Sequence, residues 1–232
     1  MFSNKVIIVT GAAGNVGRAV ARLAAERGAA VTAVDALADP LNAVVAALPE
    51  PARHKACAGV DLTDPAACEA LIARVVGQFG GLDAVVTTVG GFTMGPLAET
   101  DIAVWERMFS LNVKTTWNIY RAAVPALRQR GGGGLVGVGS VAGLKGGGQM
   151  APYAATKAAV LRLTESLADE LRADRIRVNA VMPTTIDTPQ NRAAMPDADT
   201  SRWVTPEEVA EAMLFLASSA ASGVTGALLQ VG

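Results

Sequence analysis

The sequence predicts a doubly wound α/β domain, a parallel sheet with helices on both faces. Short β-branched runs recur along the chain without polar alternation, and segments of helical length and period separate them. Strands that are apolar on both faces belong to sheets covered on both sides. Helical segments between successive strands give the connections that parallel pairing needs.

The elements follow in order. Val6–Val9 is the first strand and Val16–Arg27 the first helix, ended by Gly28, which suits the left-handed position after a helix. Ala30–Val34 is the second strand. Asp64-Pro65 reads as an N-cap with proline at the first helical position, opening a helix over Pro65–Phe79. Leu82–Thr88 is a strand. Val104–Arg130 reads as one long helix, and Gly131–Gly134 as a flexible join to the strand Leu135–Val138. Tyr153–Arg172 is helical and Ile176–Val181 is a strand. Thr205-Pro206-Glu207-Glu208 is a capping box at the start of the last helix.

Two stretches need separate treatment. Pro183–Val204 holds three prolines, many polar residues and little periodicity; a loop that long in a compact domain is usually functional or disordered. It reads as a lid. Ala212–Gly232 carries no charge, but a membrane span needs about 20 predominantly apolar residues. Ser218, Ser219, Ser222, Gly223, Thr225 and Gly226 interrupt this one. A buried helix end, a turn and a buried strand at Ala227–Val231 is the expectation. No repeat or linker divides the chain, so residues 1–232 are expected to form one domain.

Composition removes several function classes. Hydrophobic residues are 51% and charged residues 18%, which argues against disorder. Lys plus Arg number 20 against 21 Asp plus Glu, for a net charge of −1 with no basic stripe. The electrostatic footprint of a nucleic-acid or anionic-membrane binder is therefore missing. The apolar run Val6–Val9 is too short for a signal h-region. Cys57 and Cys68 cannot build a disulfide framework and suit a reducing compartment, so a soluble cytoplasmic protein is expected. His54 is the sole histidine, which leaves no His-based metal cluster and no Ser–His relay.

Three features carry chemistry. Thr10 to Gly17, T-G-A-A-G-N-V-G, follows the first strand and opens a helix. Gly11 lets the chain turn, and Gly14 and Gly17 clear room for a pyrophosphate and for helix–strand packing. The amides at Asn15 and Val16 belong to a helix N-terminus, which favours an anion. Asp35 ends the second strand, 18 residues after Gly17. A carboxylate there can accept from both ribose hydroxyls and repels a 2′-phosphate, so NAD(H) is expected over NADP(H). Arg18, the nearest cation, should point away. The third feature is Tyr153-Ala-Ala-Thr-Lys157, whose i,i+4 spacing puts phenol and ammonium on one helix face. A nearby Lys⁺ lowers a phenol pKa toward the range useful for general acid–base work. Alone, this pair is a common accident. Ser140 raises its weight, because it ends the preceding strand on the side where open α/β sheets bind ligands.

With these residues in their order and approximate spacing, the chain resembles the short-chain dehydrogenase/reductase family over essentially its full length. Asp61 in D-L-T-D and Asn112 in L-N-V add to the likeness. The resemblance implies a Rossmann-type seven-stranded parallel sheet of order 3-2-1-4-5-6-7. It implies that Tyr153 is the acid/base, that Ser140 binds the substrate oxygen, and that Lys157 binds the nicotinamide ribose and lowers the Tyr153 pKa. Asn112 would distort its helix and hold a water in a relay to Lys157. Asp61 and Leu62 would meet the adenine, and Gly90, Pro183, Ile186 and Thr188 would lie along the cofactor. Paired long helices across a two-fold axis imply a homodimer or homotetramer.

The sequence departs from the family pattern in three places. Glycine stands at 14 and Asn at 15, the usual N-N-A-G is Thr87-Thr88-Val89-Gly90, and the usual Pro-Gly is Pro183-Thr184. The stretch Pro183–Trp203 is similar to the corresponding part of dihydropteridine reductases, through Asp187-Thr188-Pro189, Asn191-Arg192 and Met195-Pro196. The animal form of those reductases lacks the Ser that Ser140 supplies. The expected activity is NAD(H)-dependent hydride transfer to or from a small carbonyl or alcohol. Quinonoid dihydropteridine reduction is the alternative, and a non-catalytic dinucleotide sensor is the alternative of another class.

Overall fold

Seven parallel strands form one sheet in the order β3-β2-β1-β4-β5-β6-β7 in this computed structural model, which describes residues 2–232. The strands are β1 Val6–Thr10, β2 Ala30–Asp35, β3 Lys55–Ala58, β4 Ala84–Thr87, β5 Gly133–Val138, β6 Ile176–Pro183 and β7 Leu228–Val231. The helices are α1 Asn15–Glu26, α2 Ala38–Ala46, α3 Pro65–Phe79, α4 Ile102–Phe109, α5 Thr115–Arg130, α6 Ala151–Glu170, α7 Pro189–Ala194 and α8 Pro206–Ala217.

The alternation of β1 shows why both faces are covered. Ile7 and Val9 pack with α1, α2 and α8, against Val20, Leu41 and Met213. Val6 and Ile8 pack on the opposite face with α3 and α5, against Leu71, Ile72 and Ile119. Ile7 and Ile8 are fully buried, and each such side chain contributes about 1.5–3 kcal/mol. Asp83 ties the sheet's amino edge together. Its carboxylate accepts from the Val6 amide at 2.9 Å, from Lys5 Nζ at 3.0 Å and from Arg130 Nε at 3.1 Å.

Several boundaries differ from expectation. The stretch read as one helix over Val104–Arg130 is α4 and α5 joined by a π-helical turn at Ser110–Lys114, with Asn112 at its centre. The turn adds a residue without leaving helical backbone angles, so sequence periodicity does not reveal it. β3 and α2 are elements that the sequence pattern does not mark. β7 is not buried: it lies at the sheet edge, and Leu229 is 38% exposed. Pro183–Val204 is not structureless. It contains α7, and a bridge between Ile186 and Val204 closes its neck. His54 is a satisfied core residue: its Nδ1 accepts from the Val31 amide at 3.1 Å and its Nε2–H donates to Pro49 O at 2.8 Å. Among the described residues no helix is long and apolar enough to cross a membrane.

Candidate active site

The strand order reverses between β1 and β4, so the carboxyl ends of these strands open a crevice where α/β sheets bind ligands. The crevice is a cleft of about 510 Å3, lined by Gly11, Gly14, Asp35, Asp61, Leu62 and Gly90 among others. Its floor is set by Thr88. The Thr88 hydroxyl donates to Thr10 O at 2.8 Å and to Gly11 O at 3.2 Å, which pins the turn after β1 to β4. The same crowding explains Gly17: a Cβ there would lie 2.1 Å from Gly11 O.

The chemistry of this cleft fits a dinucleotide. Among the described residues, the backbone amides of Asn15, Val16 and Gly17 open α1 with no backbone acceptor and no side-chain cap, leaving donors for an anion. At the end of β2 the Asp35 carboxylate accepts from the Ala13 amide at 3.0 Å and from the Leu37 amide at 3.2 Å, which fixes its orientation. Arg18 does not line this cleft; it faces a separate hollow with Arg22, Pro40 and Glu207. Asp61 is exposed, and hydrogen bonds from Thr63 hold its carboxyl below the usual range.

The second half of the site lies at the ends of β4 and β5 and on α6. Ser140 caps the short turn after β5, its Oγ accepting from the Ala142 amide at 3.2 Å. That turn packs tightly on α6: a Cβ on Gly143 would lie 2.8 Å from the Lys157 carbonyl carbon. Tyr153 sits in the first turn of α6 and Lys157 one turn on. Lys157 is buried, its Nζ donates to Val138 O at 2.9 Å, and it stands 5.8 Å from the Tyr153 ring centre. Burial lowers its pKa from 10.5 to about 8. The expected depression of the Tyr153 pKa is not what the chain alone produces. Burial pushes the phenol up, and only the Ser140 hydroxyl opposes it. The physical reason is burial: the phenol is largely shielded from water, and Lys157 Nζ, 5.8 Å from the ring centre, makes its hydrogen bond to Val138 O and none to the phenol among the described residues.

Asn112 braces this half. Its Oδ1 accepts from the Gly91 amide at 2.8 Å, and its Nδ2 donates to Gly91 O at 3.1 Å and to Thr156 Oγ1 at 3.0 Å. The π turn thereby ties the loop after β4 to the Tyr153 helix. Gly90 is required between them, since a Cβ would lie 2.8 Å from Asn112 Oδ1 and 3.4 Å from Lys157 Nζ. Pro183, Ile186 and Thr188 stand apart from this cluster, on the end of β6 and the segment beyond. Thr188 Oγ1 is used as the cap of α7, accepting from the Asn191 amide. Three contributors were not foreseen. Thr88 and Thr156 are the first two. The third is Phe92, whose ring meets Tyr153 edge-on at 4.9 Å. Thr88 stands where the usual motif has another residue, which was a signal; Thr156 and Phe92 gave none.

A glycine-lined dinucleotide cleft beside a Ser, Tyr and Lys at the carboxyl ends of a parallel sheet defines a nicotinamide-dependent oxidoreductase. The sequence model of the short chain dehydrogenases matches residues 5–199, and the chain belongs to the short-chain dehydrogenase/reductase family. It is 38% identical to a cis-4-hydroxycyclohexanecarboxylate dehydrogenase of Sinomonas cyclohexanicum, over 99% of this chain and 96% of the relative. It is 33% identical to a 2-(S)-hydroxypropyl-CoM dehydrogenase of Xanthobacter autotrophicus, over 99% of this chain and 96% of that one. Among solved structures, a 7α-hydroxysteroid dehydrogenase complexed with NADH and 7-oxo glycochenodeoxycholic acid superposes with a TM-score of 0.89. That match has 30% identity and covers 99% of this chain and 93% of the other.

Proposed function

We propose that this protein is an NAD(H)-dependent dehydrogenase/reductase interconverting a secondary alcohol and its ketone. The observation that carries the reading is the convergence of Ser140, Tyr153 and Lys157 beside a cleft that ends at Asp35. Asp35 favours NAD(H), because its carboxylate would face the extra phosphate of NADP(H). The nicotinamide, when bound, gives or takes the hydride. In the reduction direction the Ser140 hydroxyl donates a hydrogen bond to the carbonyl oxygen. The Tyr153 hydroxyl gives that oxygen its proton and is left as phenolate. Lys157, with a pKa of about 8, stabilises the phenolate and exchanges protons near neutral pH. Asn112 keeps Lys157 and the loop after β4 in place through Gly91 and Thr156.

Gly11, Gly14, Asn15, Val16 and Gly17 would hold the pyrophosphate, Asp61 and Leu62 the adenine, and Gly90, Pro183, Ile186 and Thr188 the nicotinamide side. Residues 183–204 act as the lid of a single catalytic domain. Secondary alcohols on rings, as the names of two relatives imply for those enzymes, support a ketone rather than an aldehyde. Ser140 favours ordinary carbonyl chemistry over pterin reduction. The free, buried Cys57 and Cys68 suit the cytoplasm. Trp117, 43% exposed, and Pro125 and Leu167 line a groove between the outer faces of α5 and α6, which supports pairing with a second copy there. The test is a spectrophotometric panel with NADH and NADPH against cyclic ketones, 3-oxoacyl thioesters and a quinonoid pterin. Turnover of cyclic ketones with NADH is expected. Activity on the pterin alone, or binding of NADH with no turnover of any member, would overturn the reading.

A further inference from the structure

The segment between the ends of its own neck folds as a self-contained unit. The neck is closed by the Asp187 amide donating to Val204 O at 2.7 Å and by the Val204 amide donating to Thr185 O at 3.0 Å. Inside it, Thr188 caps α7, Asn191 Nδ2 donates to Ile186 O at 2.8 Å, and the Arg192 guanidinium grips the Asp187 carboxylate through two nitrogens. Ser201 and Asp199 close the far end. Among the described residues, the segment 187–203 makes one hydrogen bond to the rest of the protein beyond the neck. Asn15 Nδ2 donates to Gln190 Oε1 at 2.9 Å.

The position of that bond gives it meaning. Asn15 is the first residue of α1, and its amide and those of Val16 and Gly17 have no acceptor among the described residues. Gln190 lies in the first turn of α7. The bond therefore joins the segment to the turn whose amides would hold an anion, and a diphosphate bound there would lie beside it. Both side chains reach solvent, so the bond can open without burying an unpaired group. Beyond the packed neck at Ile186 and Val204, the outer part of this prefolded flap is therefore tied to the body by one hydrogen bond among the described residues.

We propose that Gln190 is a cofactor-retaining residue: its bond to Asn15 latches the lid across the pyrophosphate turn and slows dinucleotide release. The proposal rests on the reading of this cleft as the dinucleotide site. It makes Asn15, where the common form of the motif has glycine, the lid's partner as well as an amide donor.

The experiment is stopped-flow fluorescence of NADH binding and release on the intact protein. One exposed neutral hydrogen bond is worth about a three- to ten-fold change in an equilibrium. Gln190→Met keeps side-chain length and removes the acceptor; it should raise the NADH release rate about three- to ten-fold and leave the association rate within about two-fold. Asn15→Ala in the Gln190→Met background should add no further effect. The exchanged pair, Asn15→Gln with Gln190→Asn, keeps the combined reach and should return release toward the wild-type rate, which a merely structural role would not do. An unchanged release rate in Gln190→Met overturns the latch. Additive effects of the two single changes, or no recovery in the exchanged pair, overturn it as well. Wild-type protein that binds neither NADH nor NADPH overturns the cofactor reading and the latch together, so the two failures are told apart.

Discussion

Replacing Lys157 with methionine should make the protein more stable at pH 7 while removing its turnover. The Lys157 ammonium is buried, and its hydrogen bond goes to Val138 O at 2.9 Å. Burial takes its pKa from 10.5 to about 8. At about 1.36 kcal/mol per pH unit, that displacement corresponds to a cost of about 3 kcal/mol for holding the charge in the fold. Methionine has similar length and no charge, so the cost disappears. The Val138 carbonyl loses a donor, which returns about 1–2 kcal/mol. A net stabilisation of about 1–2 kcal/mol remains from these two terms. The pH dependence follows from the sign. The folded pKa lies below the unfolded one, so between pH 8 and 10.5 the unfolded chain holds a proton that the folded chain has lost. Wild-type stability therefore rises with pH across that window relative to the variant. Below pH 8 the cost is present in full. Above 10.5 it is gone, the wild type keeps the Val138 bond, and the order of stabilities reverses. Urea denaturation of both proteins at pH 7, 9 and 10.5 measures the difference, provided the m-values agree. A variant less stable than wild type at pH 7, or a difference that does not move with pH, would refute the reasoning.

Tyr153→Phe removes the proton donor and should lower kcat by about 10²–10⁴, with NADH affinity by fluorescence titration almost unchanged. Asp35→Ala should weaken NADH about ten-fold or more, the order expected for hydrogen bonds to a charged group, and narrow its advantage over NADPH. Asp83→Asn should destabilise the fold by about 2–3 kcal/mol in urea at pH 7, because Lys5 and Arg130 lose their shared carboxylate. Burial raises the Asp83 pKa, but Arg130, the Val6 amide and Lys5 together bring it below the usual value. The support it gives should therefore fade as pH falls through the acid range, read as a loss of the difference between wild type and variant. Light scattering at micromolar concentration should give a mass of two or four chains, and Leu163→Glu on α6 should reduce it to one.

The elements that the sequence announces are those whose cause is local. β1 and α1 were legible because an apolar run, a glycine turn and an Ala-rich helix follow one another within Val6–Glu26. The i,i+4 spacing of Tyr153 and Lys157 was legible for the same reason. β3 was not, since Lys55-Ala56-Cys57-Ala58 is a four-residue edge strand with one buried side chain and no β-branched residue. α2 starts at Ala38 after Leu37, which supplies no side-chain cap, and it buries only Leu41, so it offers no boundary signal and little periodicity.

Long-range contacts set the rest of the site, and there the type of hydrogen-bonding group matters more than the residue that supplies it. Thr88 illustrates the point. Read as a letter, it is a departure from the family pattern in the stretch Thr87 to Gly90. In the fold its partners are two backbone carbonyls, Thr10 O and Gly11 O, and a carbonyl asks only for a donor. A threonine hydroxyl supplies one at 2.8 Å and is short enough to leave room for Gly17 against the Gly11 carbonyl. Asn112 shows the opposite case. It must accept from the Gly91 amide and donate to both Gly91 O and Thr156 Oγ1, and a primary amide alone among the uncharged side chains offers a strong acceptor beside two N–H donors. Substitution should therefore be tolerated at Thr88 by any short donor, whereas at Asn112 even Asp should loosen the loop after β4 and the Tyr153 helix together.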